Sequence, residues 1–161
     1  GFEDAAAVPL GGLNALHFMR LAKIQPGEHV VINGAGGSIG AHAVQIARSM
    51  GAKVTAVDSG IKENLVRRLG ADHFIDYMKQ DFTAIGRAYD VIFDMVPGSS
   101  YGACIRALKP GGRYLSGNPR ISVMLRSMLT TWFTAIWWYS MYLTSRSVNA
   151  YLLNCPILSL A

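Results

Sequence analysis

The 161-residue sequence has few cysteines, few charged residues and no long run of one charge. Its two cysteines, Cys104 and Cys155, lie far apart and form no CxxC pair, which argues against a disulfide framework and against a clustered zinc site. We therefore expect a reduced, cytoplasmic setting. The amino terminus shows neither a basic segment nor a long apolar one, so the sequence predicts no signal or transit peptide.

Acidic residues are missing from residues 121–161, although the whole chain has a net charge of only +5. That segment holds two of the 15 basic residues, so residues 1–120 carry the other 13 together with all 10 acids and are nearly balanced. Basic residues form no run longer than Arg67-Arg68, and the aromatic residues are not interleaved with them. This distribution argues against nucleic-acid binding.

Hydrophobic residues make up 51% of the chain and charged residues 16%. This composition excludes a disordered chain, and the length fits one domain with a single core. The small share of charge favours surfaces that a partner covers.

Short apolar runs alternate with helical segments, a pattern typical of an α/β fold with a doubly wound, Rossmann-type parallel sheet. We predict strands at residues 29–33, 53–58, 73–76, 89–94 and 113–116, with a last strand within 148–153. We predict a first helix that Asp4 caps, that Pro9 and Gly11-Gly12 interrupt and that ends near residue 21. The other predicted helices are 41–48, 62–69, 81–85 and 99–108, and residues 109–112 are predicted as a turn.

A glycine-rich stretch, GAGGSIG at residues 34–40, stands between the first predicted strand and the next helix. Residues without side chains let the backbone approach a pyrophosphate, and the start of a helix supplies free N–H groups and a positive dipole end. In the GxGxxG register the small positions are Ala35, Gly37 and Gly40, so the first one departs from the strict pattern. The alternative is a glycine turn that only packs tightly.

Asp58 ends the second predicted strand, 18 residues beyond the last glycine of the stretch. An acid at this spacing is expected to bind the hydroxyls of an adenine ribose. The alternative is that Asp58 caps the next helix, a role that Ser59-Gly60 could also fill.

Residues 5–117 resemble the cofactor-binding domain of the medium-chain dehydrogenase/reductase superfamily, closest to its quinone oxidoreductase and zinc-type alcohol dehydrogenase branches. The resemblance covers 113 of the 161 residues. It rests on AAAVPL at 5–10, QPG at 25–27, NGAGGSIG at 33–40, LGADH at 69–73, IDY at 75–77, FD at 93–94 and LKPGG at 108–112.

The resemblance implies that residues 1–120 bind NAD(P)H in an enzyme that transfers hydride to or from a quinone, enone, carbonyl or alcohol. In this family a smaller catalytic domain precedes the segment and supplies the substrate contacts and any zinc ligands. We therefore expect no catalytic or metal-binding residue and no activity in this chain alone. The expected partners are the dinucleotide, the missing catalytic domain and, as a homodimer, a second copy of the chain.

The resemblance also implies three groups of cofactor-binding residues. Within the turn, the backbone N–H groups of Ser38 and Ile39 would bind the pyrophosphate, and a second group would surround the adenine ribose. A third group would lie on the path to the nicotinamide, which Asn14 would face as well. The turn comprises Ala35, Gly36, Gly37, Ser38, Ile39 and Gly40; the ribose group is Asp58, Ser59 and Lys62; the third group is Met95, Val96, Pro97, Ser116 and Gly117.

The choice between NADH and NADPH depends on Asp58 and its neighbours. The carboxylate would repel a 2′-phosphate, which favours NADH. Ser59 and Lys62 could still supply a donor and a positive charge to that phosphate, so NADPH is not excluded.

Two other functions share parts of this pattern. A methyltransferase that uses S-adenosylmethionine would also have a glycine-rich first turn, an acid after the second strand and an LKPGG turn. A helix that starts inside the glycine motif favours a dinucleotide instead. A non-enzymatic nucleotide-sensing or assembly module would use the aromatic tail to bind a partner.

The segment 121–161 departs from the family pattern. Residues 127–145 carry no charge and are rich in tryptophan and tyrosine. Nineteen uncharged residues just reach the length of a membrane span, yet serine and threonine are interspersed and the tryptophans lie mid-segment rather than at the two interfaces. We expect a packed or interface segment rather than a membrane span, with an aberrant terminus as the other alternative.

The four histidines are isolated and form no HxxxH pair, so we expect surface or capped histidines rather than metal ligands.

Overall fold

The structure, a computed structural model, describes residues 1–117 and 149–150. The expected boundary at residue 120 and the uncharged segment 127–145 lie outside the described residues.

The described residues form a parallel sheet with helices on both faces. The strand order is β3-β2-β1-β4-β5-β6, and every recorded pairing is parallel. The elements are α1 (Phe2–Leu21), β1 (His29–Asn33), α2 (Ser38–Ser49), β2 (Lys53–Asp58), α3 (Glu63–Arg68), β3 (His73–Asp76), β4 (Tyr89–Asp94), α4 (Tyr101–Ala107), β5 (Leu108–Ser116) and β6 (Asn149–Ala150). The predicted doubly wound α/β fold is confirmed.

The central strand β1 shows why the sheet is covered on both faces. Val30 and Ile32 pack in one core with residues of α1 and α2, whereas Val31 packs in a second core with Cys104 and Ala107 of α4. Since successive strand residues point to opposite faces, an unbroken apolar run demands a layer on each side.

Four strands begin and end at the predicted residues, and the fifth does not. Tyr89 pairs with Leu108 and Val91 pairs with Arg113, so β5 begins at Leu108 and not at residue 113. The predicted turn at 109–112 is instead an irregularity within the strand, because Leu108 still pairs with β4 before the register shifts. The predicted last strand is present as the two residues of β6, which pair with β5.

The first helix is longer and more continuous than predicted. It begins at Phe2, so Asp4 is not its cap, and it runs through Pro9 and Gly11-Gly12 without a break. A Cβ atom on Gly11 would lie 2.6 Å from Ser38 Oγ, which shows how closely α1 approaches the start of α2. This packing outweighs the low local helix propensity.

The helix predicted at 41–48 is longer than expected, since α2 begins at Ser38 and ends at Ser49, whereas the other predicted helices are shorter than expected. Residues 60–62 form a 3₁₀ turn before α3, and residues 82–85 form another, with Asp81 Oδ1 accepting from Thr83 N at 2.8 Å. The last helix begins at Tyr101, with Ser100 as its cap, rather than at Ser99. The capping side chains of Asp81 and Ser100 therefore shift two of the predicted starts by one or two residues.

His29 begins β1 and is half-buried at the amino edge of the sheet. Its Nε2 lies 2.8 Å from Thr55 Oγ1, and its ring packs against Tyr89 with centroids 5.0 Å apart. Burial lowers the pKa of His29 below its ordinary value of 6.5, and the charges of His73 and Lys109 lower it further. A hydrogen bond with the Ala88 backbone and the charge of Asp90 oppose this shift but do not reverse it.

This lowered pKa predicts that the domain loses stability in mild acid. Because the unfolded chain binds the proton more readily, the contribution of His29 is complete above about pH 6.5 and is lost as the pH falls towards the lower folded pKa. We expect the difference in free energy of unfolding between wild type and His29→Gln to shrink from about pH 7.5 to about pH 5.5 in urea denaturation. A difference that is constant over this range would contradict the prediction.

Candidate functional site

A cavity of about 850 Å³ opens at the carboxyl ends of β1, β2 and β4. In the strand order β1 lies between β2 and β4, where the order reverses, and ligands of open α/β sheets bind at this point. Neighbouring strands lie about 4.8 Å apart, so the ends of β2 and β4 are separated by about 10 Å. The site residues that line the cavity are Gly37, Ser38, Ile39, Gly40, Asp58, Lys62, Met95, Val96 and Pro97.

The glycine turn holds the start of α2 against the cavity. Gly34 has a φ of +86°, a conformation that favours glycine, and its N–H donates to Val57 O at 2.9 Å. Gly37 then donates to Gly34 O at 3.1 Å, which closes the turn. The turn therefore carries the chain from β1 directly into the first turn of α2.

The first turn of α2 has the features of an anion site. Its cap is Gly37, which has no side chain to bind the free N–H groups, and no acidic residue occupies the turn. Ser38 and Ile39 line the cavity with these N–H groups unpaired within the helix. Free donors and the positive end of the helix dipole favour a negatively charged group at this place.

Gly40 shows that the turn also packs tightly, as the alternative interpretation of the glycine stretch requires. A Cβ atom on Gly40 would lie 2.8 Å from Ala35 Cα and would overlap the carbonyl oxygen of Gly34. The tight packing at Gly40 and the exposed start of α2 therefore occur together, because this packing holds the start of the helix at the cavity.

Asp58 lies beside this turn and is held by several donors. Its Oδ2 accepts from Gly36 N at 2.7 Å, and its Oδ1 accepts from Ser59 N at 2.8 Å. The Nζ of Lys62 lies 3.3 Å from Oδ1. Burial alone would raise the pKa of Asp58, but the hydrogen bonds from Ser59 and Gly36 and the charge of Lys62 lower it overall. Asp58 thus carries a negative charge at neutral pH although it is only 7% exposed.

Asp58 does not cap the following helical turn. The cap of residues 60–62 is Ser59, whose side chain forms no capping hydrogen bond. The carboxylate of Asp58 turns back to Gly36 instead, so the capping alternative is wrong. Lys62 covers the glycine turn as well, since a Cβ atom on Gly36 would overlap its Cδ.

Met95, Val96 and Pro97 follow β4 and line the cavity, whereas Ser116 and Gly117 do not. Ser116 is buried, and a Cβ atom on Gly117 would overlap Met95 Sδ. The end of β5 therefore supports Met95 from behind.

Four other predicted residues also lie off the cavity lining, and one of them is Gly36, which Lys62 covers. Asn14 is on α1 and donates from Nδ2 to Leu10 O at 2.7 Å. Ala35 is fully buried beneath the glycine turn, and Ser59 lies behind Asp58.

Two groups of lining residues were not predicted from the sequence. One group follows β3, and the other comprises the last residue of β1 and residues that follow β1 and β4. The carboxyl-end rule could have found the first group, because β3 ends at the same edge of the sheet as β1 and β2. The two groups are Tyr77, Gln80, Asp81, Phe82 and Thr83, and Asn33, Gly34, Gly98, Ser99 and Ser100.

No group of three or more metal-ligating side chains occurs among the residues that the structure describes. Within residues 1–117 and 149–150 no helix is both long and apolar enough to cross a membrane. Cys104 also lines the cavity, but burial and the charges of Asp94 and Asp81 raise the pKa of its thiol to about 12. The thiol is therefore neutral near pH 7 and lacks the thiolate that nucleophilic catalysis needs.

A family model described as zinc-binding dehydrogenase matches residues 38–120, more than half of the chain. The match begins at the first residue of α2 and includes Asp58 and the loop after β4. The chain belongs to the medium-chain dehydrogenase/reductase superfamily. It forms the cofactor-binding domain of this superfamily, as the sequence motifs predicted.

Three relatives support this assignment. The chain is 39% identical over 120 residues to the spectinabilin polyketide synthase system protein NorB of Streptomyces orinoci, covering 71% of this chain and 6% of that protein. The quinone oxidoreductase of Coxiella burnetii matches with a TM-score of 0.74 and 28% identity, over 93% of this chain and 43% of that one. The quinone oxidoreductase of Thermus thermophilus, solved also in complex with NADPH, matches with a TM-score of 0.63 and 32% identity, over 76% and 43%.

The chain therefore spans less than half the length of each of these relatives. The comparisons do not favour the methyltransferase or the non-enzymatic alternative. The observed start of α2 at Ser38, inside the glycine motif, agrees with a dinucleotide domain.

Proposed function

We propose that this domain binds a nicotinamide dinucleotide in the 850 Å³ cavity and presents it for hydride transfer in a larger oxidoreductase. The observation that carries the proposal is the uncapped start of α2 beside the buried carboxylate of Asp58. The start of α2 suits a pyrophosphate, and the carboxylate of Asp58 suits a ribose diol. Both line the same cavity.

The pyrophosphate would lie across the end of β1. Ser38 and Ile39 would donate their backbone N–H groups to it, and Gly37 would leave these groups free of a capping side chain. Gly36 and Gly40 would let the turn pack closely enough to hold the groups in place. Because β1 lies between β2 and β4, the two halves of the dinucleotide would extend to opposite sides of this turn.

The adenine ribose would bind at the end of β2, with its hydroxyls donating to Asp58. The hydrogen bonds from Gly36 and Ser59 fix the carboxylate and keep it charged, so a 2′-phosphate beside it would be repelled. We infer a preference for NADH. Lys62 Nζ and the Ser59 hydroxyl are the groups that would bind a 2′-phosphate if NADPH is accepted.

The nicotinamide half would extend past the loop after β4. Met95, Val96 and Pro97 offer an apolar wall there, and Ser116 and Gly117 fix Met95 from behind. When bound, the cofactor would supply the hydride to a quinone, enone or carbonyl or accept it from an alcohol, and the residues named here would bind and orient the cofactor. The substrate, a quinone, enone, carbonyl or alcohol, would be held by a separate catalytic domain, so we expect this chain alone to be inactive.

Two further parts of the proposal concern the whole chain. We propose residues 1–120 as the dinucleotide-binding domain and residues 121–161 as an aromatic-rich segment that completes or flanks it, in a cytoplasmic protein. A second copy of the chain is a further proposed partner.

Titration of the purified chain with NADH and with NADPH tests the proposed function. By isothermal titration calorimetry we expect measurable binding, with the tighter dissociation constant for NADH. S-adenosylmethionine should not displace it. No binding of either dinucleotide at millimolar concentrations would overturn the proposal.

A further inference from the structure

We propose that Asp94 is a positioning residue that holds the loop of residues 95–98 in the shape needed by the nicotinamide half of the dinucleotide. The inference rests on the proposed function. Asp94 ends β4 and is 2% exposed, and it is not among the residues that line the cavity. It would therefore act through the loop that follows it and not through contact with the ligand.

The carboxylate of Asp94 accepts four hydrogen bonds, divided between its two oxygens. Oδ1 accepts from Asn33 Nδ2 at 2.9 Å, from Val96 N at 3.0 Å and from Ser99 Oγ at 3.1 Å. Oδ2 accepts from the Tyr114 hydroxyl at 2.9 Å. One oxygen thus binds the loop and the glycine-turn side of the site, and the other binds the core of β5.

The three donors at Oδ1 join both sides of the cavity. Asn33 is the last residue of β1, directly before the glycine turn, while Val96 and Ser99 belong to the loop after β4. Asn33 Nδ2 also donates to Ser99 Oγ at 3.1 Å, which closes a small ring of hydrogen bonds. Asp94 therefore fixes the distance between the glycine turn and the opposite loop.

Besides Asp94, the loop is held at its first residue, where Met95 N donates to Asn33 O at 3.0 Å. Val96 is 42% exposed, and Gly98 has a φ of +118°, which a non-glycine residue rarely adopts. A Cβ atom on Gly34 would lie 3.3 Å from both Met95 Cβ and Val96 Cγ2, so a small shift of the loop would bring it against the glycine turn. Because Asp94 already holds the loop away from the cavity, no free energy has to be spent on ordering the loop when the ligand binds.

The experiment measures the dissociation constants of NADH and of ADP-ribose, which lacks the nicotinamide, for the full chain by calorimetry. In wild type we expect the tighter constant for NADH. In Asp94→Ala we expect the NADH constant to rise about tenfold while that of ADP-ribose changes less than about twofold, since the loss of a buried charged acceptor is of this order.

Asp94→Asn is the conservative variant and should restore NADH binding to within about threefold of wild type. The amide oxygen can replace Oδ1, and the amide nitrogen can donate to the Tyr114 hydroxyl, which can accept as well as donate. Tyr114→Phe is the matched control, because it removes one hydrogen bond to Asp94 on the core side. It should lower the melting temperature without changing the ratio of the two dissociation constants.

A folded Asp94→Ala variant with the wild-type ratio would overturn the inference, as would an Asp94→Asn variant that loses as much as the alanine variant. If Asp94→Ala shows no cooperative unfolding, Ser99→Ala replaces it, and an unchanged ratio there would also overturn the inference. A wild-type chain that binds neither ligand would instead refute the proposed function and remove the basis for this inference. The two failures are therefore distinguishable.

Discussion

Replacing Gly40 with alanine should destabilise the domain by about 1–3 kcal/mol and weaken NADH binding about tenfold or more. The added Cβ atom would lie 2.8 Å from Ala35 Cα and would overlap Gly34 O, and both of these are backbone atoms that no rotamer change can move. The turn must shift, and the N–H groups of Ser38 and Ile39 shift with it. Urea denaturation and NADH titration measure the two effects.

Gly102→Ala is the matched control for this variant. Gly102 also lies within a helix, but a Cβ atom there has its nearest neighbour, Arg106 Nη1, at 3.5 Å, an ordinary contact. Helix propensity alone should therefore stabilise this variant by about 0.5–1 kcal/mol. If Gly40→Ala were as stable as Gly102→Ala and bound NADH like wild type, close approach at the turn would not be needed.

Asp58→Asn should lower the affinity for NADH about tenfold and the affinity for NADPH by less. A hydrogen bond to a charged acceptor contributes about 1.5–3 kcal/mol, and the amide also removes the charge that repels a 2′-phosphate. The amide can present an oxygen to only one of its two backbone donors, Gly36 N and Ser59 N, so one N–H group faces another. The dissociation constants of both dinucleotides, measured in parallel, check the prediction.

Asp76→Asn serves as the control for Asp58→Asn. Asp76 ends the neighbouring strand β3 and accepts from Met78 N at 3.0 Å, but it is not among the residues that line the cavity. Its substitution should leave the ratio of NADH to NADPH affinity unchanged. If Asp58→Asn weakened the affinities for NADH and NADPH equally, Asp58 would only support the glycine turn and would not discriminate between the two dinucleotides.

The four strands from β1 to β4 could be predicted to the residue, because their signal is local. Each is a short apolar run bounded by residues that favour turns, and a parallel sheet covered on both faces needs such runs. β5 could not be bounded in the same way. Lys109 to Gly112 has the composition of a turn, and only the pairing of Leu108 with Tyr89 across the sheet extends the strand.

The predicted interruption of the first helix was wrong because the local sequence signals were misleading. Its local signals, Pro9 and Gly11-Gly12, argue for an interruption, yet the glycines fit against Ser38 and His42 of α2. Contacts between elements distant in sequence reversed the local preference. Asp94 was missed as well, since its partners Asn33, Ser99 and Tyr114 come from three separate segments.

The sequence by itself determined the fold class, the superfamily, the glycine turn and the acid at the end of β2, because each depends on residues close together along the chain. Only the tertiary structure decided which residues share the cavity. It added the segment after β3, moved Ser116 and Gly117 behind Met95, and turned the carboxylate of Asp58 towards Gly36 instead of the following helix. The physical reason is that strand order brings the ends of distant strands to one edge, and this order is fixed by packing across the whole sheet.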